Sequence, residues 1–368
     1  MNKAALVSLA AWVLGCTETI GASFEDRPNV GDDGPLDASP TPDRATTDQG
    51  FSDADAPRDA PTDRSDASEV ALYTQLITRR RPSCPDPAER GCGSVRVRGG
   101  TFTLGGGEPA LSRPAQPGIT VGGFVLDQDE VTVRRFRVFY QAGMPMAPWT
   151  VRYPGGALSL LNRPLVREPL VGALPLPNNA LVSTWTPEPS DCDRRSYPVV
   201  SLTWTTAQSF CVWDGGRLPT ESEWEWVALH IPDGRPVPRR YSFGNGPASC
   251  SAAVFNPPED VPCAFRHVKS GNVPLAPVGT VAPEGFFHDL GGNAAEWVAD
   301  RVNTFEGDAC WNSTPRTDPV CDTPSRYYAS SDLVRGGHIF SREPTTLGSR
   351  SWPQGGPYGV GFRCAYDE

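Results

Sequence analysis

The chain has 368 residues, ten cysteines and a formal net charge of −10, and the stretch from Glu25 to Glu69, with thirteen acidic residues and four arginines, carries nearly all of that charge. What remains is close to neutral and shows no basic patch, which argues against a nucleic-acid partner. Past residue 16 no stretch is long and apolar enough to cross a bilayer, which takes about twenty residues.

Residues 1–15 read as a cleaved export signal: one lysine, a mostly apolar run from Ala4 to Leu14, then Val13-Leu14-Gly15-Cys16. Those last four residues look like a bacterial lipoprotein cleavage box. They imply that Cys16 becomes a lipid-modified N-terminus and that the protein sits in the cell envelope, at the membrane through its lipid. Residues 16–83 read as a disordered tether, because Pro, Asp, Ala, Ser and Thr cannot bury enough apolar surface to offset chain entropy. At about 65 residues such a tether reaches on the order of 45 Å. The folded part is then residues 84–368.

Within it, Ser94 to Leu104 alternates apolar residues around Gly99-Gly100 and predicts an opening hairpin. A short strand follows at Phe124 to Leu126. Thr132 stands at the N-cap position of a helix whose apolar face is set by Val133, Phe136 and Tyr140. From Gly143 to about Ser196 the chain lacks a period and reads as an irregular excursion. Pro198 to Leu202 predicts a buried strand, and Trp204 to Trp213 a helix stopped by Gly215-Gly216. Thr220-Glu-Ser-Glu223 is a capping box that opens a further helix. Capping and the helix dipole account for Glu221 and Glu223 without catalysis. Past Leu229 glycine, proline and aromatic residues dominate.

Four motifs occur in order: Arg217-Leu-Pro-Thr-Glu-Ser-Glu-Trp-Glu-Trp226, Asp289-Leu-Gly-Gly-Asn-Ala-Ala-Glu-Trp297, Val334-Arg-Gly-Gly337 and Gly361-Phe-Arg-Cys364. In this order the region from about Ser94 to the C-terminus resembles the formylglycine-generating enzyme, or sulfatase-modifying factor, family. The resemblance implies an α+β fold of the C-type-lectin-like kind with much irregular structure. It also implies a disulfide between Cys211 and Cys364. Proximity in sequence suggests Cys84 with Cys92, Cys250 with Cys263 and Cys310 with Cys321, which leaves Cys192 unpaired. Nine cysteines after Cys16, without metal-type spacing, favour an oxidising compartment.

The resemblance carries site residues as well. At the matching positions the family holds a structural calcium through the side chains of Asp289 and Glu296 and the carbonyls of Gly292 and Ala294. Hard oxygen donors around a glycine turn suit that ion; turn-capping carboxylates are the plainer alternative. Asn256 is the one candidate for a second family calcium site. In active members two cysteines follow the Arg-Gly-Gly turn, bind copper and oxidise a substrate cysteine. Here those positions fall on Ser341 and Thr346, and the neighbouring positions on His338 and Arg342. A hydroxyl is a poor ligand for Cu(I), which prefers sulfur. Copper is therefore not expected, and neither is the family oxidation. The expected function is binding of a peptide, protein or glycan in a groove lined by His338, Ser341, Arg342, Thr346 and Arg350; the alternative is a divergent oxidase or another protein-modifying enzyme in the same cleft.

Overall fold

The structure is a computed structural model. It describes residues 74–106, 115–161, 163, 183–187, 194–229, 239–256, 263, 266–268, 271–273, 275–281, 285–303, 311, 316–323, 331–337, 341, 344, 346–353 and 357–368. The signal peptide, Cys16 and most of the tether read from the sequence lie outside these residues, as do His338, Arg342, Cys192 and Cys310.

The folded part starts earlier than residue 84. Strand β1 (Thr74–Ile77) pairs antiparallel with β2 (Ser94–Val97), with Leu76 opposite Val95. This four-residue strand, followed at residues 79–81 by three arginines, was not read from the sequence. What secures it is Arg81, whose guanidinium is buried against Asp127 and Tyr366 and donates to the carbonyl of Cys92 at 2.9 Å.

Strands β1, β2, β5 (Phe124–Asp127) and β13 (Ala365–Asp367) form one antiparallel sheet in the order β1-β2-β5-β13. The expected hairpin over Ser94 to Leu104 is absent. Strand β3 (Gly100–Leu104) leaves β2 and pairs with β4 (Gln116–Val121) in a separate ribbon. The pair Gly99-Gly100 allows this departure. A Cβ on Gly100 would lie 2.4 Å from the Trp226 ring, and one on Gly99 would lie 2.0 Å from the Val121 carbonyl. Strands β6 (Thr150–Tyr153) and β7 (Gly156–Ser159) form a hairpin inside the excursion, and β8 (Arg266–Val268) pairs with β9 (Gly271–Val273). Strand β10 (Ala295–Arg301) is flanked by β11 (Asp332–Arg335) and β12 (Val360–Gly361).

Helix α1 (Val133–Gln141) is capped as expected, with Thr132 Oγ1 accepting from the Arg135 amide at 3.3 Å. Helix α2 (Trp204–Trp213) gives way at Gly215, whose φ is +88°. Residues 198–202 are buried but form no strand beyond one bridge between Pro198 and Thr132. Ser201, at φ +67°, turns the backbone so that its amide reaches the Val360 carbonyl.

The disulfides expected between Cys84 and Cys92, Cys211 and Cys364, and Cys250 and Cys263 are all present. Cys321 is also bridged, to a partner outside the described residues. The Cys211–Cys364 bridge ties α2 to the C-terminal strand across 153 residues. Beside it, Arg135 sits with no exposed surface between Asp127 at 2.9 Å and Asp214 at 2.8 Å. Asp127 thus faces two guanidiniums, and they hold its carboxyl below the usual range although burial alone would raise it. Breaking a buried pair from one side leaves a charge uncompensated, which costs about 3–5 kcal/mol. Asp127→Ala is expected to lower unfolding free energy by that amount in urea titration. Glu368→Ala, which breaks a half-exposed pair with Arg96, is expected to change it by under about 1 kcal/mol.

Candidate functional site

Helix α3 (Glu221–Leu229) begins with the capping box: Glu223 N donates to Thr220 Oγ1 at 3.1 Å, and Thr220 N donates to Glu223 Oε2 at 2.8 Å. All nine residues of the helix are buried, its three glutamates included. Such charges persist in a core only with partners, and capping proves to be one part of the explanation. Glu223 also receives both terminal nitrogens of Arg217 at 2.7 Å. Arg335 donates to Glu221 and to Glu225, each at 2.7 Å, and lies 5.1 Å over the Trp224 ring.

Arg335 is the last residue of β11, and the chain reverses immediately after it. Gly336 and Gly337 have φ of +90° and +75°, as the glycine pair implied. A Cβ at Gly336 would lie 3.0 Å from the Leu290 carbonyl. The returning loop is held by the same guanidinium, which donates to the Leu347 carbonyl at 2.6 Å. Further ties are Ser341, whose carbonyl accepts from Asn256 N at 3.0 Å, and Leu347, whose amide donates to the Arg240 carbonyl at 2.9 Å.

Ser341 and Thr346 are both half-buried. The Thr346 hydroxyl shares a hydrogen bond with Ser349 at 2.8 Å. Arg350, expected to face a ligand, is instead engaged by Glu221, with Nη2 at 2.6 Å, and by the Asn303 carbonyl. The reason is electrostatic: Glu221 is fully buried and takes a second cation beside Arg335. Flanking the loop, the exposed Arg240 lies 5.2 Å over Tyr241, and the Tyr241 ring stacks on Phe243 at 4.8 Å.

The turn from Asp289 to Glu296 packs behind this loop. Asp289 has φ of +58°, and its Oδ2 accepts from Gly279 N at 3.0 Å. Glu296 is completely buried, and both its oxygens are taken by Arg363 Nε at 2.9 and 2.8 Å, Arg363 Nη2 at 2.6 Å and Trp224 Nε1 at 2.9 Å. The turn itself folds around Glu130, which accepts from Asn293 Nδ2 at 2.8 Å and Ala294 N at 2.9 Å. Burial, reinforced by Asp289 and Glu296, holds Glu130 well above the usual carboxylate range, and burial pushes Asp289 up to about 6.

Glu130 thus interacts with both Asp289 and Glu296, and Asp289 also with Asp129 and His288, while the one arginine at the turn, Arg363, is already spent on Glu296. In charge the turn fits a divalent cation at Asp289. Glu296 does not fit as its ligand, because its acceptor positions are filled. Among the described residues no three His, Cys, Asp or Glu side chains converge as a metal cluster, so backbone carbonyls would supply the remaining donors.

Sequence reasoning missed Arg335, Glu225, Glu130 and Asp300. Arg335 alone had a signal, its place before the Gly-Gly turn. Asp300 caps α3 from β10, accepting from Glu221 N at 2.6 Å and from Cys321 N at 2.7 Å.

Residues 81–368 match the model of the Sulfatase-modifying factor enzyme 1-like domain, and the chain belongs to that family. It is similar to the formylglycine-generating enzyme of Thermomonospora curvata, at 25% identity over 76% of this chain and 95% of that one. It is similar to the same degree, 25%, to the inactive C-alpha-formylglycine-generating enzyme 2 of Bos taurus, over 74% of this chain and 87% of that one. Among solved structures, PvdO from Pseudomonas aeruginosa matches with a TM-score of 0.47 at 18% identity, over 80% of this chain and 98% of that one.

Burial, with the charge of Glu221 second, raises Asp300 to about 7. A carboxyl whose folded pKa exceeds its unfolded value leaves the folded state holding more protons, so stability falls as pH rises from about 4 through 7. Asp300→Asn is expected to flatten that part of the stability profile, read as urea midpoints at pH 5, 6, 7 and 8. An unchanged slope would contradict the assignment.

Proposed function

We propose that this protein is a binding member of the family, holding a peptide, protein or glycan along the Ser341 to Arg350 loop without formylglycine-generating oxidation. The observation that carries the reading is the surface beside the loop, where exposed Arg240 and half-buried Phe243 are held against the buried ring of Tyr241. An arginine beside a partly exposed aromatic ring, both braced by a buried tyrosine, offers a cation and rigid contact area, groups enriched where interfaces bind tightly. The positions matching the family cysteines add support, since Ser341 and Thr346 carry hydroxyls and Thr346 bonds to Ser349. A relative in cattle is itself named as inactive. Export agrees with three described disulfides.

A labelled cysteine-containing peptide library probed by fluorescence anisotropy is expected to contain binders. Arg240→Ala combined with Phe243→Ala is expected to weaken them at least about tenfold, equal to about 1.4 kcal/mol. Copper-dependent conversion of the peptide cysteine to an aldehyde, followed by mass spectrometry, would sink the reading.

We also propose a structural calcium at Asp289 and the carbonyls of Gly292 and Ala294, with Glu130 rather than Glu296 completing the charge balance. The support is the carboxylate surplus at the turn. Ligand that binds only the native state stabilises it by mass action. Melting is expected to rise in millimolar calcium relative to chelator, and Asp289→Asn is expected to remove the difference. Equal melting of the wild-type protein under both conditions contradicts this site.

A further inference from the structure

Three described disulfides differ in exposure and place. Cys84, Cys92, Cys211 and Cys364 have no accessible surface, whereas Cys250 is exposed and Cys263 half-buried. The Cys250–Cys263 bridge closes a span of 13 residues against 153 for Cys211–Cys364. The shorter loop withdraws less entropy from the unfolded chain, so the fold depends on it less.

This bridge also borders the candidate site. Cys263 N donates to the Phe255 carbonyl at 3.0 Å, and Asn256 N donates to the Ser341 carbonyl at 3.0 Å. The Phe255 carbonyl and the Asn256 amide belong to one peptide unit, and a trans peptide sends them in opposite directions. Cys263 and Ser341 therefore flank that unit on either side, on the order of 10 Å apart at two strand spacings.

We propose that Cys250–Cys263 is an exchangeable disulfide that accepts two electrons from thiols, with cysteine-containing peptides bound at the neighbouring loop as donors. The choice of donor rests on the binding reading above. A peptide thiolate attacks Sγ of Cys250, the more exposed residue of the pair. The Cys250–Cys263 bond breaks, a peptide–Cys250 disulfide forms, and the electron pair leaves on Cys263, which takes a proton. A second thiol then attacks the peptide sulfur and releases Cys250 as thiolate. Two donor thiols end as a disulfide, and the protein pair ends as two thiols. Exposure favours this exchange because attack requires access to a sulfur.

The test uses the full chain under native conditions. Protein is titrated with dithiothreitol, quenched with N-ethylmaleimide and mapped by mass spectrometry. Cys250 and Cys263 are expected to be alkylated at a concentration about tenfold below that needed for Cys84, Cys92, Cys211 or Cys364. Excess cysteine-containing peptide is expected to leave an adduct on Cys250 with Cys263 alkylated. The Cys250→Ser, Cys263→Ser double variant is expected to lose the adduct while still binding the serine analogue of that peptide. Reduction of the bridge only together with the buried ones overturns the proposal. So does failure to form the adduct when the serine analogue binds. If the analogue fails to bind while selective reduction persists, the binding reading falls and the exchange stands with free thiols as donors.

Discussion

Buried guanidinium–carboxylate pairing is the constraint on which this fold depends. Arg135 with Asp127 and Asp214, Arg335 with Glu221 and Glu225, and Arg363 with Glu296 all sit without solvent contact on either partner beyond 1%. All but Arg135–Asp127 link segments more than sixty residues apart, and each arginine also donates to a backbone carbonyl. The described residues, with short strands, long loops and three short helices, leave many backbone carbonyls outside regular ladders. Those in the interior need donors. A planar five-donor guanidinium can serve two carboxylate or carbonyl neighbours at once. Since removing one partner of such a pair costs about 3–5 kcal/mol against a typical total of 5–15, few substitutions here can be neutral.

The same constraint builds the candidate site. Arg335 stands where β11 ends, and from there it joins α3 to the loop carrying Thr346 and Leu347. Because Glu221 takes Arg350 as well, that loop is fixed from two directions by one helix end. Among the described residues, Arg335 and Arg350 are thus committed inward. Beside the loop Arg240 is exposed and Phe243 half-buried, both resting on the buried Tyr241 ring, the surface proposed to hold a ligand. Behind the loop, Glu296 is neutralised by Arg363, while burial raises the carboxyls of Glu130 and Asp289.

Much of this was legible in the sequence where the signal is local. The Thr132 cap, the Thr220–Glu223 box, both glycine turns and the pairings of Cys84, Cys211 and Cys250 follow from spacing or from the family motifs. The misses are all long-range. The strand at Thr74 was missed because what fixes it is distant: its partner is Ser94 to Val97 and its anchor is Arg81 reaching Asp127. The segment from Ser94 to Leu104 alternates like a hairpin, yet Trp226, more than a hundred residues on, packs over Gly100. Glu130 and Asp300 look like ordinary acids until the turn at Asn293 and the start of α3 close around them. Periodicity reports which face is apolar and is silent on which distant carboxylate an arginine will meet.

The central role of Arg335 can be read directly by amide hydrogen exchange at Leu347 and Ser349, comparing the native protein with Arg335→Lys. Lysine keeps the charge and loses the fork that reaches Glu221, Glu225 and the Leu347 carbonyl together. Exchange at those two amides should accelerate by an order of magnitude or more while Phe136 in α1, capped independently by Thr132, stays protected. Acceleration of α1 and the loop to the same extent, or of neither, would contradict the view that this one guanidinium fixes the loop.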